Sequence, residues 1–340
     1  MVLALVLFAL LVFSLLANFG QMLTNFTHLA PPSHQRGGPR LEEILLKNNH
    51  SDNKVAVIPV EGVITSQAID GTAFNQVDVI KAQLEKAEQD PEVKAVVLRV
   101  DSPGGEVMAS DDIAKALGAF QEDSEKPVVV SMGNLAASGG YYVAAPCRWI
   151  VANEMTITGS IGVIMSGFNY RGLMDKVGLQ PVVYKSGKFK DMLSGSRKPE
   201  DVSPEEQKMV QSLIDEVYGR FKNVVAEGRT AANKSNASDG RKLVENWASY
   251  ADGRVFSGSQ AYELGFVDEL GDFDTAVERA IDISGELDAN VVEYRQVVEF
   301  ADLFRMFGQS EPATVKVDLG VQAPNLKPGL LYFLYTEYIN

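Results

Sequence analysis

The sequence predicts an α/β protein built on a parallel β-sheet that is covered on both faces. Three observations carry this reading. Short runs in which almost every residue is apolar recur along the chain, as in VAVIPV (55–60), AVVLRV (95–100) and PVVVSM (127–132). These runs lack the strict alternation of a sheet with one wet face, so both faces need cover. Stretches with apolar residues three and four apart separate them, the pattern of helices crossing between parallel strands.

The elements follow in order. Residues 1–17 read MVLALVLFALLVFSLLA, broken only by Ser14. A helix of this length nearly crosses a hydrocarbon core of roughly 30 Å, so a transmembrane anchor is expected over 1–19. No basic residue precedes it and Ala17-Asn18-Phe19 is a poor cleavage site, which favours an uncleaved anchor over a secretory signal. Arg36, Arg40 and Lys47 follow the helix, and positive-inside counting alone would put the body in the cytoplasm. Residues 20–53 are polar, with a Pro pair and a Gly pair, and are expected to be a tether.

From Lys54 the body begins, with strands expected at 55–60, 95–100, 127–132, 149–152 and 181–186. A helix over 75–89 is predicted by Val77, Ile80, Leu84 and Ala87, and another over 110–120 with Ser110 as cap and Asp111 and Asp112 in its first turn. A long helix spans 204–227. Ser203 as N-cap, Pro204 at N1 and Glu206 at N3 spell a capping box, and Met209, Val210, Leu213, Ile214, Val217, Tyr218 and Phe221 form its stripe. Residues 229–241 are polar and expected to loop out. Helices near 258–264 and 273–284 and a strand at 291–294 follow. The segment GLLYFLYTEY (329–338) is too short to span a bilayer and is expected to be a docked strand or an interface tail.

Composition narrows the chemistry. A net charge of −14 disfavours nucleic acid, whose binding needs a basic surface. The single cysteine, Cys147, rules out an internal disulfide and a cysteine-rich zinc site. The three histidines, His28, His34 and His50, all precede the body. A Ser-His-Asp triad, Cys-His catalysis and histidine-ligated metals are therefore disfavoured, and no cofactor is expected. An acyl-transfer enzyme on this chain would need lysine or a carboxylate as its base.

Three motifs offer the parts. In MGNLAASGGYYVAA (132–145) small residues follow a strand and open an apolar helix, which would expose the Ser138 hydroxyl at a corner beside the Gly139 amide. The plain alternative is a tight helix start packed under a strand. DSPGGE (101–106) follows another strand, and Gly104 and Gly105 would let successive amides converge on an anion, Gly105 donating one bond and Gly139 the other. Both corners lie at carboxyl ends of parallel strands, where such sheets hold ligands. YKSGKFKD (184–191) supplies Lys185, Lys188 and Lys190. A lysine base must be neutral near pH 7, about three units below its usual 10.4, which burial and neighbouring ammonium groups would promote. Spacing puts Lys188 and Lys190 on one face and does not choose between them.

DSPGG, GNLAASGGYYVA, TITGSIGV (156–163), KSGKFKD and DGRVFSGSQAYELGFVDELG (252–271), in this order, resemble the signal peptide peptidase A family of membrane-anchored serine proteases in its short, single-domain form. The resemblance covers about residues 54–285 and implies a Clp-protease/crotonase-like fold of coiled ββα units. It implies Ser138 as nucleophile, Lys190 as general base, Ser160 as the hydroxyl that orients the lysine, and Gly105 and Gly139 as oxyanion donors. It further implies released signal peptides and unfolded chains as substrates, a body outside the cytoplasm, and a ring of copies whose neighbours complete each site. Residues 286–340 would be an extension docking on the body or a neighbouring subunit. Two other readings remain: an acyl-CoA hydratase or isomerase of the same fold class, for which Glu106 beside the glycine pair would move protons, and a catalytically silent membrane scaffold that presents a peptide groove.

Overall fold

The computed structural model describes Ser14 and residues 38–68, 74–237, 239–297 and 330–334. The chain divides into two compact units, Met1–Gly38 and Pro39–Asn340, and the second is described here. The expected anchor over 1–19 lies outside the described residues except for Ser14, and no helix among the described residues is long and apolar enough to cross a membrane.

In chain order the second unit comprises β1 (Leu41–Lys47), β2 (Lys54–Glu61), α1 (Gln76–Gln89), β3 (Val93–Ser102), β4 (Gly104–Glu106), α2 (Val107–Ser124), β5 (Val128–Ala137) and α3 (Gly139–Ala144). It continues with β6 (Trp149–Ala152), β7 (Ile157–Gly159), α4 (Arg171–Lys176), α5 (Pro204–Ser235), β8 (Val255–Ser257), α6 (Gly258–Glu263), β9 (Glu269–Leu270), α7 (Phe273–Ser284), β10 (Asn290–Gln296) and β11 (Tyr332–Leu334).

The main sheet runs β1-β10-β2-β3-β5-β6-β9, with β7 branching from β5 and carrying β8. Pairings β10–β2, β2–β3, β3–β5, β5–β6, β5–β7 and β6–β9 are parallel; β1–β10 and β7–β8 are antiparallel. Its central strands alternate between two apolar layers. Ala56, Ile58 and Val60 of β2 and Val96, Leu98 and Val100 of β3 face the larger core, with Ile80, Leu84, Ile113, Leu117 and Phe221. Val55, Val57, Ala95 and Val97 face the smaller core under α7, against Ala276, Val277 and Ala280. Each large aliphatic side chain buried this way contributes about 1.5–3 kcal/mol, and two buried faces account for the near-continuous apolar runs.

The capping boxes are in place: Ser203 and Glu206 at α5, Asn75 and Asp78 at α1, Ser257 and Gln260 at α6, and Asp272 and Thr275 at α7. Several expectations need correction. Residues 181–186 form no strand; Val182, Val183 and Tyr184 are exposed, and no strand among the described residues pairs with them. Helix α2 begins at Val107, so Ser110 lies inside it and its hydroxyl donates back to the Glu106 carbonyl (2.9 Å) instead of capping. Helix α5 runs on to Ser235, because Arg229 and Asn233 of that stretch are buried and tied to Asp268 and to the Gly240 carbonyl. Residues 41–47, placed in the tether by their polarity, add an edge strand against β10, and β10 itself extends the sheet beyond 285.

Candidate active site

Two glycine corners meet at the carboxyl ends of β3 and β5. At the first, Ser102 Oγ accepts from the Gly104 amide (3.0 Å) and donates to the Gly62 carbonyl (2.6 Å). This closes the turn in which Gly104 takes φ 95°, a conformation natural only to glycine. Ile64 then brackets the next residue: its amide donates to the Gly104 carbonyl and its carbonyl accepts from the Glu106 amide, both at 2.8 Å. A Cβ on Gly105 would stand 1.9 Å from the Ile64 carbonyl oxygen, so only glycine fits.

At the second corner Ser138 ends β5 and caps α3 with φ 55° and ψ −116°, a strained backbone for a residue with a side chain. The strain is held from both sides. The Ser138 amide donates to the Gly159 carbonyl and its own carbonyl accepts from Tyr142, each at 2.8 Å. The corners touch, since a Cβ on Gly139 would lie 3.0 Å from the Gly105 nitrogen and 2.7 Å from Ser110 Oγ. The two glycine corners therefore meet directly beside Ser138, and backbone amides grouped next to a serine are the parts that can stabilise an oxyanion formed by attack of its hydroxyl.

Ser160 joins this cluster. It follows Gly159, which pairs with Ala137 across β5–β7, and takes φ 49°. Its amide is fixed by the Arg254 carbonyl at 2.7 Å, and the residue is buried. The fold thus brings together Ser138, Ser160, Gly105 and Gly139.

Lys190 is not among them. It is exposed, on the irregular segment between α4 and α5, and lines a cleft of about 970 Å³ with Met165, Phe168, Tyr170 and Val210. Among the described residues it forms no hydrogen bond with Ser138 and no ion pair. The other two lysines of the motif are engaged: Lys185 Nζ donates to Asp191 (2.7 Å) and Lys188 Nζ to Glu205 (2.7 Å).

Glu106 is engaged as well. Its carboxylate accepts from the Ser66 amide (2.9 Å), the Ser66 hydroxyl (2.5 Å) and the Thr65 hydroxyl (3.1 Å). Burial alone would raise its pKa, but these donors outweigh burial and hold it below the usual carboxylate value. A carboxylate so occupied ties the 62–68 loop to β4 and is poorly placed to shuttle protons for a hydratase. No group of residues that could hold a metal ion occurs among the described residues.

Sequence reasoning missed three residues of the site. Tyr142, one turn into α3, donates its hydroxyl to Asp111 at 2.6 Å. Phe221 reaches it from α5, and Phe333 from β11, which lies antiparallel to β4. The apolar stripe of α5 announced Phe221 as buried, and the apolar tail announced Phe333 as covered; neither pattern named its partner.

Comparison with known proteins agrees with this geometry. Residues 120–285 match the model of Peptidase family S49. The chain is 38% identical, over 76% of its length and 72% of the relative's, to a protein named for signal peptide peptidase (SppA) in Enterococcus faecium. It is 41% identical to a protein named as a protease in Synechocystis sp., covering 79% of this chain and 88% of that one. It is 39% identical to Protease 4 of Salmonella typhi, over 61% of this chain and 31% of that protein. A serine at a strained corner where two glycine turns meet, on a chain so similar to these proteins, makes this protein a member of peptidase family S49, in its SppA branch.

Proposed function

We propose that this chain is a membrane-anchored endopeptidase with a Ser138/Lys190 dyad that degrades released signal peptides and other membrane-associated or unfolded peptides. The observation that carries the reading is the convergence of the Ser138 corner with the Gly105 and Gly139 amides. In the proposed reaction a neutral Lys190 amine takes the proton from Ser138 Oγ as the oxygen attacks a peptide carbonyl. The two glycine amides hold the resulting oxyanion, and the lysine passes its proton to the leaving amine. Water, activated by the same amine, then hydrolyses the acyl-enzyme. The Ser160 hydroxyl orients the lysine.

In this reading the Lys190 that serves a given Ser138 comes from a neighbouring copy in a ring-forming homo-oligomer. Two features support that: Lys190 is exposed and unpaired among the described residues, while Lys185 and Lys188 are occupied. The segment that carries it also exposes Val182, Val183 and Tyr184, apolar surface of a kind that marks contact sites. The fold is Clp-protease-like, residues 1–19 anchor the chain, and the body lies on the extracytoplasmic side of the cell membrane, where released signal peptides can be met. Signal peptides enter the proposal through the name of the Enterococcus faecium relative. The test is turnover of a leucine-rich reporter peptide by Ser138→Ala and Lys190→Ala in detergent. Both are expected to lose activity by 100-fold or more, and near-normal turnover by either would refute the dyad.

A further inference from the structure

This inference rests on the peptidase reading and concerns which peptides the site takes. Strand β11 occupies the groove beside Ser138. It pairs antiparallel with β4 in the register Tyr332 to Glu106, Phe333 to Gly105 and Leu334 to Gly104. Along its other edge Tyr332 exchanges two backbone hydrogen bonds with Ile164, at 3.0 and 3.1 Å. A bound peptide held as a strand between these two edges would run the same way.

The register places one carbonyl at the chemistry. The Val107 amide donates to the Leu331 carbonyl (3.4 Å). Hydrogen-bonded pairs recur every second residue in an antiparallel ladder, so Phe333 and Gly105 also form such a pair and the Phe333 carbonyl faces the Gly105 amide. The same oxygen and the Gly139 nitrogen stand 2.1 and 2.5 Å from the point that a Cβ on Gly104 would occupy. Phe333 therefore sits where a substrate residue would present its carbonyl to the Gly105 amide, beside the Gly139 nitrogen.

Its ring is fully buried between two others. It stacks on Tyr142 with centroids 4.7 Å apart and planes at 24°, and it meets Phe221 at 4.7 Å and 52°. Tyr142 and Phe221 touch edge to face at 4.9 Å, which closes the pocket behind the ring. The Tyr142 hydroxyl is pinned on Asp111, so this wall is held in place.

We infer that Tyr142 and Phe221 form the specificity pocket for the residue that contributes the acyl carbonyl, and that it selects an aromatic side chain there. The bond broken is the amide that follows that residue: its carbonyl carbon is esterified to Ser138 Oγ, the serine proton leaves on the new amine, and water then frees the acid.

The test uses the full chain in detergent with quenched-fluorescent peptides that differ at one position, Phe, Leu or Ala. The Phe peptide is expected to exceed the Ala peptide in kcat/KM by roughly 10- to 100-fold, the discrimination a large apolar pocket gives. In Phe221→Ala the Phe-to-Ala ratio should fall about tenfold, and in Phe221→Leu by less; a ratio is internal to each variant and survives loss of total activity. Equal kcat/KM for the Phe and Ala peptides in the wild-type chain overturns the inference. Absence of all cleavage would count against the peptidase reading instead, and the pocket is then read by fluorescence anisotropy of labelled peptides. Phe333→Ala, which leaves the pocket free of the chain's own ring, should bind the Phe peptide about tenfold tighter than the Ala peptide; equal binding overturns the inference.

Discussion

Gly139 and Gly105 approach so closely that a single methyl group on Gly139 would stand 3.0 Å from the Gly105 nitrogen. Whatever these amides do, they do together, because neither corner can shift without moving the other. Gly139→Ala should therefore damage the oxyanion site more than the fold. Its added Cβ would also press on Ser110 Oγ at 2.7 Å, the end of a short side chain that has little room to yield inside α2. Alanine keeps the amide, but the clash would push it out of position, and displacing one well-placed donor approaches the cost of losing it, about 100- to 1000-fold in kcat. Steady-state kinetics beside a thermal melt should show that loss with a melting temperature lowered by only a few degrees. An unchanged kcat would show that the added methyl leaves the donors in place, and so that the close approach of Gly139 to Gly105 is not what positions them.

The exposed position of Lys190 leads to a complementation experiment. Ser138→Ala and Lys190→Ala are each expected to be inactive. Mixed and co-assembled, they should regain activity, because a site formed by the intact serine of one copy and the intact lysine of the next is then restored. The measurement is reporter turnover against the mixing ratio, with a maximum near equal amounts. Mixed assemblies that form but stay inactive would put the base within the same copy as the serine.

How much of this was legible in the sequence depends on what each signal encodes. The glycine corners could be read, because DSPGGE and AASGG each follow an apolar run and only close backbone approach needs so many residues without side chains. The fully apolar strands were equally plain. Residues 181–186 misled because a β-branched run records a need for cover, not where the cover comes from; Val182 and Tyr184 are 75% and 95% exposed on this chain. The polar look of 229–235 hid a helix for a related reason. Arg229 and Asn233 read as solvent-facing until Asp268 and the Gly240 carbonyl, far along the chain or across a turn, supply their partners. The tail showed its need to be covered, and its pairing with β4 joins residues more than 220 positions apart, which periodicity cannot report.

Arg229 and Asp268 form an ion pair that is almost wholly buried, at 1% and 0% side-chain exposure. Asp268 also accepts from the Ile150 amide (2.9 Å) and the Arg241 amide (3.2 Å), so it joins α5, β6 and the start of the 241–250 loop. Asp268→Ala would strand a buried guanidinium and two backbone donors. The expected loss is about 3–5 kcal/mol of unfolding free energy, read from urea denaturation. Arg229→Ala should cost a similar amount, and the double variant less than the sum, because the second substitution removes the charge that the first left unpaired. A loss below about 1 kcal/mol for Asp268→Ala would show that the pair is dispensable.

The segment bearing Lys190 is fastened to α5 by Arg197, whose guanidinium donates to Glu206 (2.5 Å) and to the Asp201 carbonyl (2.5 Å). The Arg197 guanidinium, followed by the Ser203 amide, lowers the Glu206 carboxyl from the usual 4.5 to about 2. The folded value lies below the unfolded one, so the stabilisation is complete above about pH 4.5 and is lost as pH falls toward 2. Pepsin works across that window and reports release of the segment directly. Cleavage within residues 186–200 should be slow at about pH 4 and rise steeply toward about pH 2. In Arg197→Ala the carboxyl loses its main partner and its titration moves back toward the ordinary value, so cleavage should already be fast at about pH 4. A wild-type rate that stays flat from pH 4 to pH 2, after correction for pepsin's own pH profile, would mean that this ion pair does not hold the lysine-bearing segment in place.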